Sequence, residues 1–270
     1  MQFLSTRRGV PPASLSGAIA AGAAADGGLF VPERLPRLDR RAARPPATLP
    51  ETGLAVLAPF FADDPLEGEL EAICREAFTF PSPLVPLGTS GAFALQLFHG
   101  PTAAFKDFGA RFLAACLRRL ALEAPPPRTV LVATSGDTGS AVAAAFHGAP
   151  GIRVVLLYPE GRVSPRQAHQ LGCFGDNVTA LRVAGSFDDC QRMVKAAFAD
   201  PVLAARLTSA NSINVGRLLP QMIYYAHAVG QLQRIGDASG VAQDFSHAGL
   251  KSCFLARRIH TSARSSQACP

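Results

Sequence analysis

Lysine is rare in this sequence, so each lysine is a candidate for chemistry. Lys106, Lys195 and Lys251 are its only lysines, whereas arginine supplies the other basic residues. The pKa of a lysine amine can be lowered until the amine is nucleophilic, which arginine cannot match. Lys106 follows small and apolar residues in HGPTAAFKDFG and stands at the start of a predicted apolar helix.

That setting has a chemical consequence for the Lys106 amine. Poor solvation and the positive end of a helix dipole both lower the pKa of an ammonium group. An amine of this kind attacks an aldehyde carbon and forms a Schiff base. The alternative, given equal weight on spacing alone, is a lysine at a helix start whose ammonium lies in water.

A second segment, ATSGDTGS at 133–140, lies between a predicted strand and a predicted helix. Its glycines, hydroxyls and exposed N–H groups suit an anion such as a carboxylate or phosphate. It is neither a dinucleotide fingerprint nor a P-loop. Asp137 would repel a bound anion unless its carboxylate turns back to cap the helix. An ordinary strand-to-helix turn is the alternative.

A third segment, SANSIN at 209–214, gathers amides and hydroxyls ahead of a long predicted helix. Taken alone, it is better explained as a helix cap than as a binding site. The histidines are isolated, the cysteines lack C-x-x-C spacing, and neither H-E-x-x-H nor G-x-S-x-G occurs. We therefore expect no metal site, no secreted disulfide framework and no α/β-hydrolase triad.

The elements that must position these segments alternate along the chain. From residue 94 onward, strand patterns occupy 94–98, 129–133, 153–158 and 178–183, and helix patterns occupy 107–123, 140–147, 165–171, 186–198 and 215–233. Repeated strand–turn–helix units predict a parallel sheet with helices on both faces, so the fold class is α/β. The N-terminal part is predicted to hold helices at 14–25 and 66–78, an extended piece at 29–32 and a linker at 36–50.

Composition excludes several classes of protein. With 48% hydrophobic and 17% charged residues, the chain is not a disordered polyelectrolyte. It has no apolar run of the roughly 20 residues that a membrane span needs. The N-terminal ten residues show no signal peptide. Together with the cysteine pattern, this predicts a soluble protein in a reducing compartment, the cytoplasm.

The net charge of +6 invites a nucleic-acid interpretation. However, residues 245–270 hold four basic residues and no acidic one, and without them the net charge falls to +2. Because nucleic-acid affinity requires a basic patch that neutralises phosphates, a chain whose other charges are scattered is not expected to bind nucleic acid.

Together the segments are far more specific than any one of them. HGPTAAFKDFGARF, ATSGDTGSAVAAAF, VVLLYPEGRVSPRQ and SANSINVGRLLPQMIYY, in this order, resemble the threonine synthase family, as do the STRRG opening and GLFVPERLP. The resemblance covers about residues 2–235 and implies a pyridoxal-phosphate fold of the tryptophan-synthase β type. The implied organisation is an N-terminal region (1–80), the first part of a large cofactor domain (81–125), a small open parallel-sheet α/β domain (126–214) and a helix returning to the large domain (215–244).

The resemblance also implies a reaction and roles for particular residues. O-phospho-L-homoserine and water would give L-threonine and phosphate, with pyridoxal 5'-phosphate held by Lys106 as an aldimine. Lys106 would then shuttle protons. The family's substrate-binding loop matches Ser135, Gly136, Asp137 and Thr138, and its cofactor-facing segment matches Asn211, Ser212 and Asn214.

The resemblance stops after Ile235. In this family a further strand should end in a Gly/Asn-rich loop for the cofactor phosphate, but no Gly-Asn-x-Gly occurs here, and 245–270 is an unmatched tail without clear periodicity. We hypothesise that a frameshift or fusion near 236–246 left the fold incomplete, and we expect weak cofactor binding, poor solubility and little or no activity. The downstream DNA reading frame tests this.

Two other interpretations stay open at this point. Another pyridoxal-phosphate enzyme of the same fold, such as a threonine dehydratase, would release a keto acid instead of phosphate. A non-catalytic remnant or binding protein would fold without the cofactor. No oligomeric state follows from the sequence.

Overall fold

A computed structural model describes residues 1–36, 48–88, 91–122, 128–235, 241–247 and 253–260 of the chain. The strands are β1 (Phe3–Ser5), β2 (Phe30–Pro32), β3 (Leu84–Leu87), β4 (Ala92–Gln96), β5 (Arg128–Ala133), β6 (Ile152–Pro159), β7 (Val178–Val183), β8 (Leu207–Thr208), β9 (Val241–His247) and β10 (Cys253–His260). The α-helices are α1 (Leu15–Ala21), α2 (Leu49–Phe61), α3 (Leu70–Ala77), α4 (Lys106–Leu122), α5 (Asp137–Phe146), α6 (Pro165–Gly172), α7 (Phe187–Ala199), α8 (Pro201–Ala204), α9 (Val215–Leu218) and α10 (Gln221–Ile235). None of these helices is both long enough and apolar enough to span a bilayer.

The predicted parallel sheet is confirmed for the strand patterns at 129–133, 153–158 and 178–183, and its strand order is β7-β6-β5-β8. The two-residue β8 was not predicted, and the strand predicted at 94–98 lies in a separate antiparallel sheet. Side chains that alternate along its strands enter two separate cores. Val130 and Val154 belong to the main core, which also includes residues of α4 and α5. Leu131 and Leu157 instead pack with Cys190 of α7. Because both faces of the sheet are covered at its centre, β5 and β6 are apolar on both sides, as expected of an α/β protein.

The order of these strands reverses beside β5. The chain moves outward from β5 through β6 to β7, and then returns through α7 to place β8 on the other side of β5. In open α/β sheets, ligands bind in the crevice beyond the carboxyl ends of the strands where such a reversal occurs. The segments that leave β5 and β8, at 134–136 and 209–214, are therefore placed together at the position where this fold class binds ligands.

A second, antiparallel sheet has the order β3-β4-β10-β9. The sequence of 245–270 shows no clear periodicity, yet 253–260 forms β10, of which 253–257 pairs with β4 and 254–260 pairs with β9. An unpaired strand edge offers a row of N–H and C=O groups to any extended segment, and β10 uses the free edge of β4. The strand predicted at 94–98 begins earlier, at Ala92. Its neighbour β3 was not predicted because Pro86 disfavours a strand, although an edge strand tolerates it.

The N-terminal predictions need two corrections. The helix predicted over 14–25 is capped by Ser14 but ends at Gly22, whose φ of +77° breaks the helix earlier than the Gly27-Gly28 pair. The linker predicted over 36–50 lies largely outside the described residues, and its last two residues already belong to α2. That helix begins with a capping box between Thr48 and Glu51, a TLPE signal that the linker prediction missed.

Two other helix predictions meet different outcomes. The apolar face predicted over 66–78 is confirmed, since all four of its residues are buried (Leu66, Leu70, Ile73 and Ala77). The α-helix itself is shorter than predicted, because Glu67–Glu69 forms a 3-10 turn and α3 begins at Leu70. The single helix predicted over 215–233 is divided into α9 and α10 by Pro220. Proline lacks the N–H that a helix interior requires and its ring clashes with the preceding turn.

A carboxylate closes the N-terminal loop. Asp26 accepts hydrogen bonds from Ser5 Oγ at 2.7 Å and from the N–H groups of Gly9 and Gly28, each at 2.8 Å. The Ser5 hydroxyl is the main cause that lowers the pKa of Asp26, and these two N–H groups and Arg7 act in the same direction. A Cβ on Gly28 would lie 2.1 Å from Ser5 Oγ, so only glycine allows this closure.

The lowered pKa predicts a stability loss in acid. The stabilisation from ionised Asp26 is fully present above its unfolded pKa of about 3.9 and is lost as the pH falls through the lower folded value. We expect the thermal midpoint of Asp26→Asn to decrease less than that of the wild type between pH 7 and pH 3. Parallel melting curves that keep the same separation at both pH values would contradict this.

Candidate active site

The Lys106 amine lies at the first residue of α4, as predicted within one residue. The side chain is half-buried, and Nζ lies 4.9 Å from the centroid of the Phe105 ring. The apolar side of α4 explains why this position is fixed: Phe108 and Phe112 are fully buried, and Phe108 meets Phe80 and Tyr224 edge to face. The lysine is thus carried by a helix whose next two turns are anchored in the core.

The loop before Lys106 is held by the next residue, Asp107. This carboxylate is buried and accepts hydrogen bonds from Thr102 N at 2.9 Å and from Thr102 Oγ1 at 2.7 Å. Burial raises the pKa of Asp107, and the hydrogen bonds from Thr102 only partly oppose it. A Cβ on Gly100 would lie 2.4 Å from Asp107 Oδ2, so the close approach requires glycine there. Asp107 therefore determines the path of 100–105 and with it the start of α4.

The turn after β5 is organised by Thr134. Its hydroxyl accepts hydrogen bonds from Gly136 N at 3.0 Å and Gly139 N at 2.8 Å. Gly136 has φ +133° and ψ −90°, a conformation that residues with a Cβ rarely adopt, and it precedes the first residue of α5. Ser135 is exposed, and Asp137 and Thr138 are half-buried. The first N–H groups of a helix have no acceptor within it, so this turn presents donors at a positive helix end.

Asp137 does not cap its own helix. The N-cap residue of α5 is Gly136, and the Asp137 carboxylate instead accepts a hydrogen bond of 2.8 Å from Gln167 Nε2 on α6. The sequence predicts that the Asp137 carboxylate turns away from a bound anion by capping α5. In the structure it turns toward α6 instead. The partner on α6 was missed, because Gln167 is 30 residues away along the chain.

The third predicted segment contains residues with contrasting environments. Asn214 is fully buried and caps α9: its Oδ1 accepts from Gly216 N, and its Nδ2 donates to Ile19 O and Ser209 O. Asn211 is half-buried and Ser212 is exposed. Asn214 therefore acts as a helix cap, which is the interpretation that the sequence of this segment favours when it is taken alone. Asn211 and Ser212, by contrast, are accessible to a ligand.

Arg217 is a buried cation that no motif in the sequence singles out. It is 3% exposed; Nη1 donates to Ala210 O at 2.7 Å, and Nε is buried without a hydrogen-bond partner. Burial lowers its pKa to about 10, while the charge of Asp107 acts in the opposite direction. A Cβ on Gly109 would lie 3.1 Å from Arg217 O. Gly109 thus lets α9 approach the first turns of α4, which brings the Lys106 segment and the 209–217 segment together.

Three histidines lie beside polar side chains. His227 Nδ1 lies 3.0 Å from Thr52 Oγ1, and burial lowers the pKa of this imidazole. His99 contacts Gln96, and His147 lies near Asp176. Within the described ranges there is no cluster of metal-ligating side chains. Four cysteines are free thiols: Cys74, Cys116, Cys173 and Cys190.

Comparison with known proteins decides the family. Residues 77–234 match the family described as pyridoxal-phosphate dependent enzyme, and residues 2–78 match the threonine synthase N terminus. This chain belongs to the family of pyridoxal-phosphate-dependent enzymes. The family's cofactor is accordingly pyridoxal phosphate, as the resemblance implied.

Individual relatives of this family agree. The chain is 44% identical over 223 residues to threonine synthase of Haemophilus influenzae, covering 82% of this chain and 52% of that protein. It is also 44% identical over 223 residues to threonine synthase of Escherichia coli, covering 81% and 51%. The chain thus spans about half the length of the curated relatives it matches.

Solved structures agree on the fold. Threonine synthase of Escherichia coli has a TM-score of 0.77 at 40% identity, with 86% of this chain and 54% of that chain covered. A threonine synthase from Brucella melitensis with bound pyridoxal phosphate has a TM-score of 0.78 at 40% identity, with 86% and 52% covered. The predicted pyridoxal-phosphate α/β fold is confirmed.

Proposed function

We propose that this chain takes part in the threonine synthase reaction, which converts O-phospho-L-homoserine and water to L-threonine and phosphate. The observation that carries the proposal is the 44% identity to threonine synthases over 223 residues, together with the matched regions 2–78 and 77–234. The second region contains the Lys106 segment, the 134–138 turn and the 209–217 segment. The roles of individual residues are part of the proposal.

The side chains present fit pyridoxal phosphate. The donor set includes a half-buried primary amine at Lys106, two accessible polar side chains at Asn211 and Ser212, and a buried guanidinium at Arg217 whose Nε has no partner. An amine, hydrogen-bonding groups and a nearby positive charge are what an anionic aldehyde requires. Lys106 would hold the cofactor, and Asn211 and Ser212 would contact it.

The chain's own groups would do the following in the reaction. When bound, pyridoxal phosphate supplies an electron sink that stabilises a carbanion next to the substrate amino group. The Lys106 amine would accept and return a proton at the substrate carbons, since it is the basic group at the site. The turn from Ser135 to Thr138 would hold the substrate carboxylate through N–H groups at the positive end of α5.

Reductive trapping tests the role of Lys106. The full chain is incubated with pyridoxal phosphate, reduced with borohydride and digested, and the labelled lysine is identified by mass spectrometry. We expect at least about tenfold more label on Lys106 than on Lys195, which is exposed on α7, because a bound cofactor places one amine at its aldehyde. Label spread evenly over the lysines would refute the proposed site.

Affinity is a separate question from selectivity. No Gly-Asn-x-Gly phosphate loop occurs in these 270 residues, so we expect selective but weak binding and low activity of this chain. Stoichiometric cofactor absorbance at micromolar concentrations would refute the expected weakness. Phosphate released from O-phospho-L-homoserine, compared with keto acid released from threonine, distinguishes the proposed reaction from that of a dehydratase.

Two further properties belong to the same proposal. We infer a cytoplasmic location, supported by the free thiols of Cys74, Cys116 and Cys190, which are buried and unpaired with one another. Such thiols are typical of proteins kept in reducing compartments. No nucleic-acid partner is proposed, since the basic excess of the sequence is concentrated in 245–270.

A further inference from the structure

One side chain of α6 serves two neighbours at once. Gln167 is the fourth residue of a capping box: its Oε1 accepts from Ser164 N at 3.1 Å, and its N–H donates to Ser164 Oγ at 3.2 Å. Its Nε2 points the other way and donates to Asp137 Oδ1 at 2.8 Å. The amide oxygen of Gln167 thus stabilises the start of α6, and its amide nitrogen binds the turn at the start of α5.

The fit between Gln167 and this turn is close. A Cβ on Gly136 would lie 2.4 Å from Gln167 Nε2, and a Cβ on Gly139 would lie 2.5 Å from Leu171 Cδ2, also on α6. The two glycines therefore allow α6 to lie directly against the start of α5. The amide of Gln167 occupies the space that a side chain at 136 would take.

The cap alone does not require glutamine. A capping box needs only an acceptor at its fourth position, and glutamate satisfies it as well as glutamine does. A hydrogen bond to a carboxylate needs a donor, which glutamate lacks when ionised. Glutamine is the side chain that satisfies both demands, so its second contact calls for an explanation beyond the stability of α6.

We propose that Gln167 is a positioning residue for substrate binding: it turns the Asp137 carboxylate toward α6 and away from the N–H groups of the 135–138 turn. This inference rests on the proposed function, in which that turn holds the substrate carboxylate. A carboxylate left free beside those groups repels the incoming anion. Held by Gln167, the same charge lies on the side of the turn that faces α6.

Four forms of the full chain test the role: the wild type, Gln167→Glu, Gln167→Glu with Asp137→Asn, and Ser164→Ala. Each ¹⁵N-labelled chain is titrated with O-phospho-L-homoserine, and the dissociation constant is read from the shifted amide resonances. Thermal midpoints are measured in parallel. The glutamate introduced by Gln167→Glu keeps the acceptor for the cap but faces Asp137 with a second negative charge, which pushes the Asp137 carboxylate toward the ligand.

We expect Gln167→Glu to weaken binding by about tenfold, as a misplaced charge a few ångströms from an anion would. In the double variant, the introduced asparagine donates to the introduced glutamate, so the hydrogen bond is restored with its direction reversed and most of the affinity returns. Ser164→Ala removes the cap hydroxyl and leaves the Gln167–Asp137 contact, so it should lower the thermal midpoint but change the dissociation constant by less than about twofold.

The outcomes separate the role from the function on which it rests. A wild type that binds while Gln167→Glu binds equally well overturns the positioning role alone. Loss of binding in Ser164→Ala in proportion to its lost stability also overturns it, because the effect would then be structural. A wild type whose 135–138 resonances do not shift with the ligand overturns the proposed substrate site and the positioning role together.

Discussion

The Asp107→Ala variant is expected to lose about 3 kcal/mol of unfolding free energy, because it loses two hydrogen bonds to a charged group, each of which contributes roughly 1.5–3 kcal/mol. The carboxylate is the acceptor for both Thr102 N and Thr102 Oγ1; Asp107 is buried, and Thr102 is half-buried. Chemical denaturation of the variant and the wild type at pH 7 measures the loss.

The matched control for this substitution is Asp188→Ala. Asp188 occupies the same position in α7 as Asp107 does in α4, the second residue of the helix, but it is exposed. Both substitutions remove a negative charge from a first helical turn, so they share the loss of the helix-dipole interaction. We expect the control to lose less than about 0.5 kcal/mol. Equal losses would mean that the contacts with Thr102 contribute nothing.

Asp107→Asn separates the hydrogen bonds from the charge. Burial raises the pKa of Asp107, so the folded state binds its proton more tightly than the unfolded state does. The wild type should therefore lose stability as the pH rises above about 4, until it passes the raised folded pKa. The asparagine variant keeps one acceptor and lacks this ionisation, so its stability relative to the wild type should improve over that pH range.

A functional readout follows from the same contacts. Without the Asp107 anchor, the 100–105 loop loses its fixed path and the start of α4 frays. Borohydride labelling of Lys106 in Asp107→Ala should then lose its selectivity over Lys195, under conditions where the variant is still folded. Full selectivity in the folded variant would show that α4 alone positions the lysine.

Much of this architecture could be predicted because its signals are local. The alternation of strand and helix patterns predicts the parallel sheet, and Lys106 stands out because it follows small residues at a helix start. The helix predicted over 186–198 also begins at a local signal, a capping box between Ser186 and Asp189 at the start of α7. Each of these features depends on residues within a few positions of one another, where spacing alone constrains geometry.

The features that were missed depend on contacts between distant parts of the chain. Arg217 is recognisable as a site residue only once α9 packs against Gly109 of α4. The contact of Gln167 with Asp137 likewise requires α6 to pack against the start of α5. A signal for Gln167 did exist, since S-P-R-Q is a capping box. The pairing of β10 with β4 had no local signal, because the sequence of one strand does not determine which distant strand it pairs with or in which register.

Asn214→Ala is expected to be the most destabilising substitution in the 209–214 segment, at about 3–5 kcal/mol, because it leaves three buried groups without partners. Those groups are Ile19 O, Ser209 O and Gly216 N, so one side chain joins α1, the end of β8 and the start of α9. Urea denaturation measures the loss. Asn214→Asp keeps the acceptor for Gly216 but removes both donors, and it should also be strongly destabilised.

Asn211→Ala is the matched control, since it truncates the same residue type three positions earlier. The Asn211 side chain is half-buried, and the proposal gives it a contact with the cofactor. We therefore expect Asn211→Ala to keep its stability within about 0.5 kcal/mol and to lose labelling of Lys106. Asn214→Ala should lose stability, and the fraction of this variant that stays folded should retain labelling of Lys106. The reverse pattern, a stable Asn214→Ala without labelling, would make Asn214 the cofactor ligand that the resemblance implied instead of the cap of α9.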